Sequence, residues 1–311
     1  MKKILLLAIP MVAALAFGII RGNYAEVGGW IYHQAMATEA SLYGFKEHQA
    51  DIGDMTLSYY RNENPGKPVV VMLHGYSADK TVWLRFARHL TSDYDIIIPD
   101  MAGHGESPYS EEWSYGMPAQ ADRLSRLLKT LDVAAAHVIG NSMGGFLTAT
   151  FAINYPQNTL SATMIDPAGV MSPEPSMMMK MLAEGRNPFI IHNRKEFDQF
   201  YAMTMEQPPI VPDIVLEAVG KKYESRREQL KKIFEDFHSS DYLEERLSEL
   251  KAPAMLWWGD QDKLLHVSSV GVWQAGVPDL KVHVFEGIGH MPMVEMPGET
   301  ADMYMAFLSD L

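Results

Sequence analysis

Between the apolar run Ala136-His137-Val138-Ile139 and a helical stretch from about Met143 to Asn154 lies the pentapeptide Gly140-Asn141-Ser142-Met143-Gly144. A serine on so sharp a strand-to-helix turn must adopt a strained backbone, and a glycine two residues to either side leaves room for the bend. The turn lifts the Ser142 hydroxyl above the end of its strand, and the start of the helix directs partial positive charge toward it. The N–H of Met143 would then face an oxyanion forming on a carbonyl attacked by that hydroxyl. The bland alternative is an ordinary glycine-rich turn; the strand before it and the helix after it favour a nucleophile.

Such a turn requires a sheet whose strands end together, and the rest of the chain supplies one. Short β-rich runs at 45–52, 55–60, 68–73, 94–99, 136–139, 160–165, 254–258 and 282–285 alternate with helical stretches at 81–90, 118–131, 143–154 and 298–308. Runs such as Val69-Val70-Val71-Met72-Leu73 are apolar throughout, as strands buried on both faces are. This is the pattern of a mostly parallel α/β sheet. It stops between 169 and 247, where the chain is helical, charged and rich in methionine, and then resumes. Residues 22–168 and 248–311 are expected to form the core, with 169–247 inserted after the sixth strand as a helical cap.

The strand ending at Leu73 runs into His74-Gly75-Tyr76-Ser77, on the edge of the sheet where sites gather. Gly75 permits close approach of the backbone, so the N–H of Tyr76 is a candidate second oxyanion donor. Eleven histidines compete for the base. A triad on this scaffold runs serine, acid, histidine, which selects His290 in Gly287-Ile288-Gly289-His290. His283 falls inside the last strand and reads as a packed residue, and His104 as structural. The acid must hold the imidazole in one tautomer and stabilise its charged form. Asp262 is preferred because the turn at Gly259 should carry it back over the strand ends. Asp260 is second, and Asp166 third, with a local role in the turn before Pro167.

Composition removes other classes. With no cysteine, disulfides, thiolate metal sites and cysteine nucleophiles are excluded. A net charge of −13 disfavours nucleic acid as a partner. No H-E-x-x-H or G-x-G-x-x-G motif calls for a metal or dinucleotide, so no cofactor is expected. Residues 1–21 stand apart: Lys2 and Lys3 precede an apolar run from Ile4 to Ile20. That run reads as an uncleaved membrane anchor or as a signal peptide cut after Ala16 or Gly18, either way placing the folded domain outside the cytoplasm.

Five segments together resemble the α/β-hydrolases: His74-Gly75-Tyr76, Pro99-Asp100-Met101-Ala102-Gly103-His104-Gly105-Glu106-Ser107, Gly140–Gly145, Trp258-Gly259-Asp260-Gln261-Asp262 and Gly289-His290. His74–Lys80 with Trp83, and Asp166-Pro167-Ala168-Gly169, are similar to membrane-anchored monoacylglycerol lipases and small bacterial lipases and esterases. The resemblance implies an eight-stranded α/β-hydrolase sheet with a helical lid. It implies Ser142, Asp262 and His290 as a triad and Tyr76 and Met143 as oxyanion donors. It also implies a carboxylic ester or lipid substrate, met at a membrane surface. Gly-Asn-Ser-Met-Gly-Gly also occurs in C–C bond hydrolases of ring-cleavage products, which stand as the alternative. A non-catalytic binding protein on this scaffold is the remaining one.

Overall fold

The computed structural model describes residues 23–239 and 242–311. Residues 1–21, with their expected anchor or signal, lie outside these. No helix among the described residues is long and apolar enough to cross a membrane.

Eight strands form one sheet: β1 (Lys46–Asp51), β2 (Thr56–Arg61), β3 (Val69–Leu73), β4 (Asp95–Pro99), β5 (Ala136–Asn141), β6 (Thr159–Ile165), β7 (Ala254–Gly259) and β8 (Lys281–Phe285). Their order is β1-β2-β4-β3-β5-β6-β7-β8. Only the pairings of β2 with β1 and with β4 are antiparallel. Burial on both faces explains the apolar runs: Val71 and Leu73 enter one core, and Val70 and Met72 the other.

Register brings the site together. Leu73 pairs with Gly140, Asn141 with Ile165, Ile165 with Trp257, and Gly259 with Phe285. The loops after β3, β5, β6, β7 and β8 therefore leave the sheet side by side.

The helices are α1 (Tyr24–Leu42), α2 (Leu84–Ala87), α3 (Met117–Thr130), α4 (Met143–Asn154), α5 (Met177–Ala183), α6 (Arg194–Thr204), α7 (Asp213–Ser225), α8 (Arg227–His238), α9 (Ser269–Gly276), α10 (Pro292–Glu295) and α11 (Pro297–Ser309). Among the described residues, four of them, α5 to α8, lie between β6 and β7. The helix expected over 81–90 is instead a 3₁₀ turn (Lys80–Trp83) leading into α2. Asp79 caps Thr81 while Asp100 Oδ1 accepts the Lys80 N–H at 2.7 Å, so the chain enters on a tight turn. His283, expected to be packed, is exposed on the edge strand β8, its ring against Phe285.

Helix α1 was not evident in the sequence because no apolar stripe marks it. It docks on α7 through a glycine contact: a Cβ on Gly28 would stand 1.9 Å from the carbonyl oxygen of Ile214, whereas one on Gly29 would meet Ala218 Cβ at 3.9 Å. Gly28→Val is expected to force the two helices apart and cost about 1–3 kcal/mol in denaturant unfolding. Gly29→Ala should be neutral or stabilising, since alanine favours a helix by up to about 1 kcal/mol over glycine. Equal effects of the two substitutions would refute the close crossing.

Candidate active site

The elbow after β5 is as tight as its glycines suggest. Ser142 holds φ 59° and ψ −118°, a backbone that non-glycine residues rarely keep unless their surroundings impose it. A Cβ on Gly140 would meet the Gly144 carbonyl oxygen at 2.1 Å, and one on Gly144 the Leu73 oxygen at 2.2 Å. Ser142 N–H donates to Ile165 O at 2.9 Å, and Ser142 O accepts from Phe146 N–H at 3.0 Å and Ala168 N–H at 3.1 Å. These bonds offset the strain and lock the turn between β5 and β6.

The loop after β3 closes over this elbow. A Cβ on Gly75 would lie 3.3 Å from Ser142 Cβ, so only glycine lets the loop come so near without displacement. His74 is a brace. Its Nε2 accepts the Met101 N–H at 3.0 Å, which leaves the ring proton on Nδ1, 2.8 Å from Gly75 O. Complete burial holds its pKa below the usual range, and the same cause holds that of His104 well below it. Both rings are neutral struts. Among the described residues, the N–H groups of Tyr76 and Met143 donate to no protein acceptor. The Tyr76 hydroxyl donates to Leu230 O of α8 at 2.6 Å, fastening the loop to the inserted helices.

Asp100, in the segment that resembles the α/β-hydrolases, is a structural anchor. Its carboxylate accepts from Lys80 N–H, Lys80 Nζ (2.6 Å) and Glu106 N–H, and a Cβ on Gly105 would stand 2.1 Å from its Cγ.

The three candidate acids part company here. Asp262 Oδ2 lies 2.7 Å from His290 Nδ1, and both side chains are buried. The other Asp262 oxygen accepts the N–H groups of Leu264 at 2.8 Å and Leu265 at 3.0 Å. Asp260, two residues earlier, instead accepts Gly287 N–H at 2.8 Å and secures the loop after β8. Asp166 was expected to act locally, in the turn before Pro167; instead its Oδ1 accepts Gly259 N–H of β7, a separate strand, at 2.8 Å. Donor atoms of Asp166, Asp262 and His290 all lie within 4.8 Å of one another, a set of the kind that can hold a metal ion. Asp262 already pairs with His290 Nδ1 and accepts two backbone N–H groups, however, so this set fits a hydrogen-bonded relay rather than a cation site.

Two positioning residues were missed in the sequence. Asn141 Nδ2 donates to His290 O at 2.9 Å and to Ile165 O at 3.2 Å, tying the elbow to the histidine loop. Glu295 accepts N–H groups from Gly289 (3.0 Å), Glu206 (3.0 Å) and Gln207 (2.7 Å), while His290 N–H donates to Thr204 O at 3.1 Å. The histidine loop is thus stitched to the end of α6. For Asn141 the only signal was its place next to Ser142, and nothing local marked Glu295.

Ser142 and Tyr76 line a cavity of about 210 Å³ between the sheet edge and the inserted helices. From the methionine-rich stretch after β6, Met171, Met178, Met179, Leu182 and Phe189 line it, whereas Met177, Met181, Ile190 and Ile191 do not. Phe234 and Phe237 of α8 complete its far wall.

A serine elbow at the carboxyl edge of this sheet defines a class, and comparison with known proteins agrees. Residues 68–297 match the family described as alpha/beta hydrolase fold, to which the chain belongs. It is similar to Lipase 1 of Psychrobacter immobilis, with 32% identity over 289 residues, 89% of this chain and 90% of that protein. It is also similar to monoacylglycerol lipase abhd6-B of Xenopus laevis, 27% identical over 98% of this chain and 93% of the relative. Among solved structures it superposes on a membrane phospholipase A described as a bacterial virulence factor, with a TM-score of 0.88, 32% identity, and coverage of 100% of this chain and 99% of that one. The chain is a carboxylic ester hydrolase.

Proposed function

We propose that the protein cleaves long-chain acyl esters of lipids, mono- and diacylglycerols foremost, through an acyl-enzyme on Ser142. The observation that carries this reading is the mostly apolar cavity that Ser142 helps to line, walled by flexible methionines and aromatic rings of the kind that suit an acyl chain. His290 removes the serine proton as the oxygen attacks the ester carbonyl. Asp262 engages Nδ1 of the imidazole, which leaves Nε2 to take the serine proton, and stabilises the imidazolium that forms. The N–H groups of Tyr76 and Met143 receive the oxyanion. His290 then protonates the departing alcohol, and water, activated by the same histidine, releases the fatty acid. Residues 169–247 act as a lid, and residues 1–21 tether or export the domain so that it meets its lipid at a membrane face.

The C–C hydrolase alternative is less well supported. A dienoate of the kind named for one structural neighbour (17% identity, a likeness of fold alone) carries a carboxylate. Among the described residues the cavity wall contains no lysine or arginine to receive it.

The test is a panel of p-nitrophenyl esters and of mono-, di- and triacylglycerols. Activity is expected to rise from acetate toward longer chains. Met178→Trp, which fills the cavity, should lower kcat/KM on the long chains about tenfold or more and leave butyrate within about threefold. Equal losses on every chain length, or turnover of a vinylogous diketone with no ester cleavage, would refute the assignment.

A further inference from the structure

Behind the histidine the structure places two carboxyl groups, and the reaction as written uses one. Asp166 is fully buried, and its Oδ1 accepts Gly259 N–H. Its Oδ2 is also buried and has no hydrogen-bond partner among the described residues. The residue is held at φ 42°, a conformation uncommon outside glycine, which turns the chain at the end of β6. The neighbouring Asp262 already receives three N–H donors.

We infer that Asp166 is a positioning residue that stays protonated and donates through Oδ2 to Asp262, so that the acid behind His290 is a carboxylic acid–carboxylate pair. Two buried carboxyl groups this close do not both ionise. The one with three donors takes the charge, and the one with an unpartnered oxygen keeps the proton. The titratable groups facing Asp166 are Asp262 after β7, His290 after β8 and Glu295 on α10. Burial foremost, and then the charge of Asp262, push the Asp166 carboxyl well above the usual carboxylate range against the opposing pull of the Gly259 N–H.

The consequence rests on the triad reading above. A proton shared with Asp262 draws charge from it, so the pair grips an imidazolium less tightly than a lone aspartate would. No bond is made or broken in this step; the proton remains on Asp166.

Two measurements on the full chain test the inference, and the first needs no activity. A carboxyl whose pKa is raised on folding contributes stability that is complete below its unfolded value, near 4, and is lost as pH rises toward its folded value. Asp166→Asn keeps the acceptor for Gly259 and the donor to Asp262 but cannot titrate. Between pH 5 and 7 the unfolding constant of the unsubstituted protein should therefore rise relative to that of Asp166→Asn, by up to about tenfold per pH unit. Parallel curves would show Asp166 ionised in the fold and would overturn the inference, whatever Ser142 proves to do.

The second measurement is the pH profile of kcat/KM. Asp166→Ala removes the donor and should move the acidic limb upward by about half a unit or more. Asp166→Asn should restore the limb to within a few tenths and kcat to within about threefold of the starting enzyme. A loss in Asp166→Asn as deep as that in Asp262→Asn would make Asp166 the ionised acid. Equal limbs in Asp166→Ala and Asp166→Asn would show that the shared proton does not reach the histidine. Either outcome overturns the inference.

Discussion

Ser142→Ala is expected to lower kcat on any ester substrate by about 10⁶-fold, the order of loss seen when a serine nucleophile is removed from a complete triad. The fold should not notice. The Ser142 side chain caps no helix N–H, and the bonds that lock the elbow run through its backbone nitrogen and oxygen. Thermal unfolding of the alanine variant should therefore stay within about 0.5 kcal/mol of the starting protein. Ser142→Gly, equally inactive, should be the more stable variant, because glycine accepts φ 59° without the cost of about 1–3 kcal/mol that such a backbone imposes on other residues. Activity assays paired with denaturant melts separate the two effects. Retained turnover in either variant would remove the nucleophile from the account.

The second large effect falls on the acid. Asp262→Asn should reduce kcat by about 10⁴-fold, the order expected when the partner of the imidazole can no longer fix its tautomer and charge. The lost acceptor is specific: Oδ2, 2.7 Å from His290 Nδ1. Asp260→Asn removes a carboxylate only two residues away, but one that faces Gly287 N–H instead of the imidazole. Its kcat should remain within about tenfold, with the loss expressed as stability, since a hydrogen bond to a charged group contributes about 1.5–3 kcal/mol and a neutral amide at this half-buried position forfeits part of that. Comparable kinetic losses at 260 and 262 would contradict the assignment of roles.

The contrast between these two aspartates shows where the sequence was legible. The central strands, buried on both faces, leave apolar runs that were visible in the sequence, whereas the edge strands β1 and β8 are largely exposed and were marked only by their place in the alternation; the serine turn was visible too, because its glycines answer a steric need local to five residues. The break in alternation at 169 falls in the stretch between β6 and β7 that carries α5 to α8. Choosing among Asp166, Asp260 and Asp262 was another matter. All three follow strands that end together, and the choice depends on register and on a turn in which a Cβ at Gly259 would stand 2.0 Å from Gly289 O. Asn141 and Glu295 were hidden for the same reason: each acts on a loop at least 80 residues away in the chain. Helix α1 was hidden because its docking relies on a glycine and backbone contact, which leaves no amphipathic stripe.

The most direct test of acyl transfer at Ser142 is rapid-quench mass spectrometry of the protein mixed with excess p-nitrophenyl decanoate. Acyl transfer at Ser142 should give a burst of about one equivalent of p-nitrophenol and a single decanoyl adduct on the peptide that carries Ser142, formed and then lost at rates consistent with turnover. Asp262→Asn should form the adduct slowly, and Ser142→Ala not at all. Steady ester cleavage with no adduct, or an adduct on any residue other than Ser142, would contradict it.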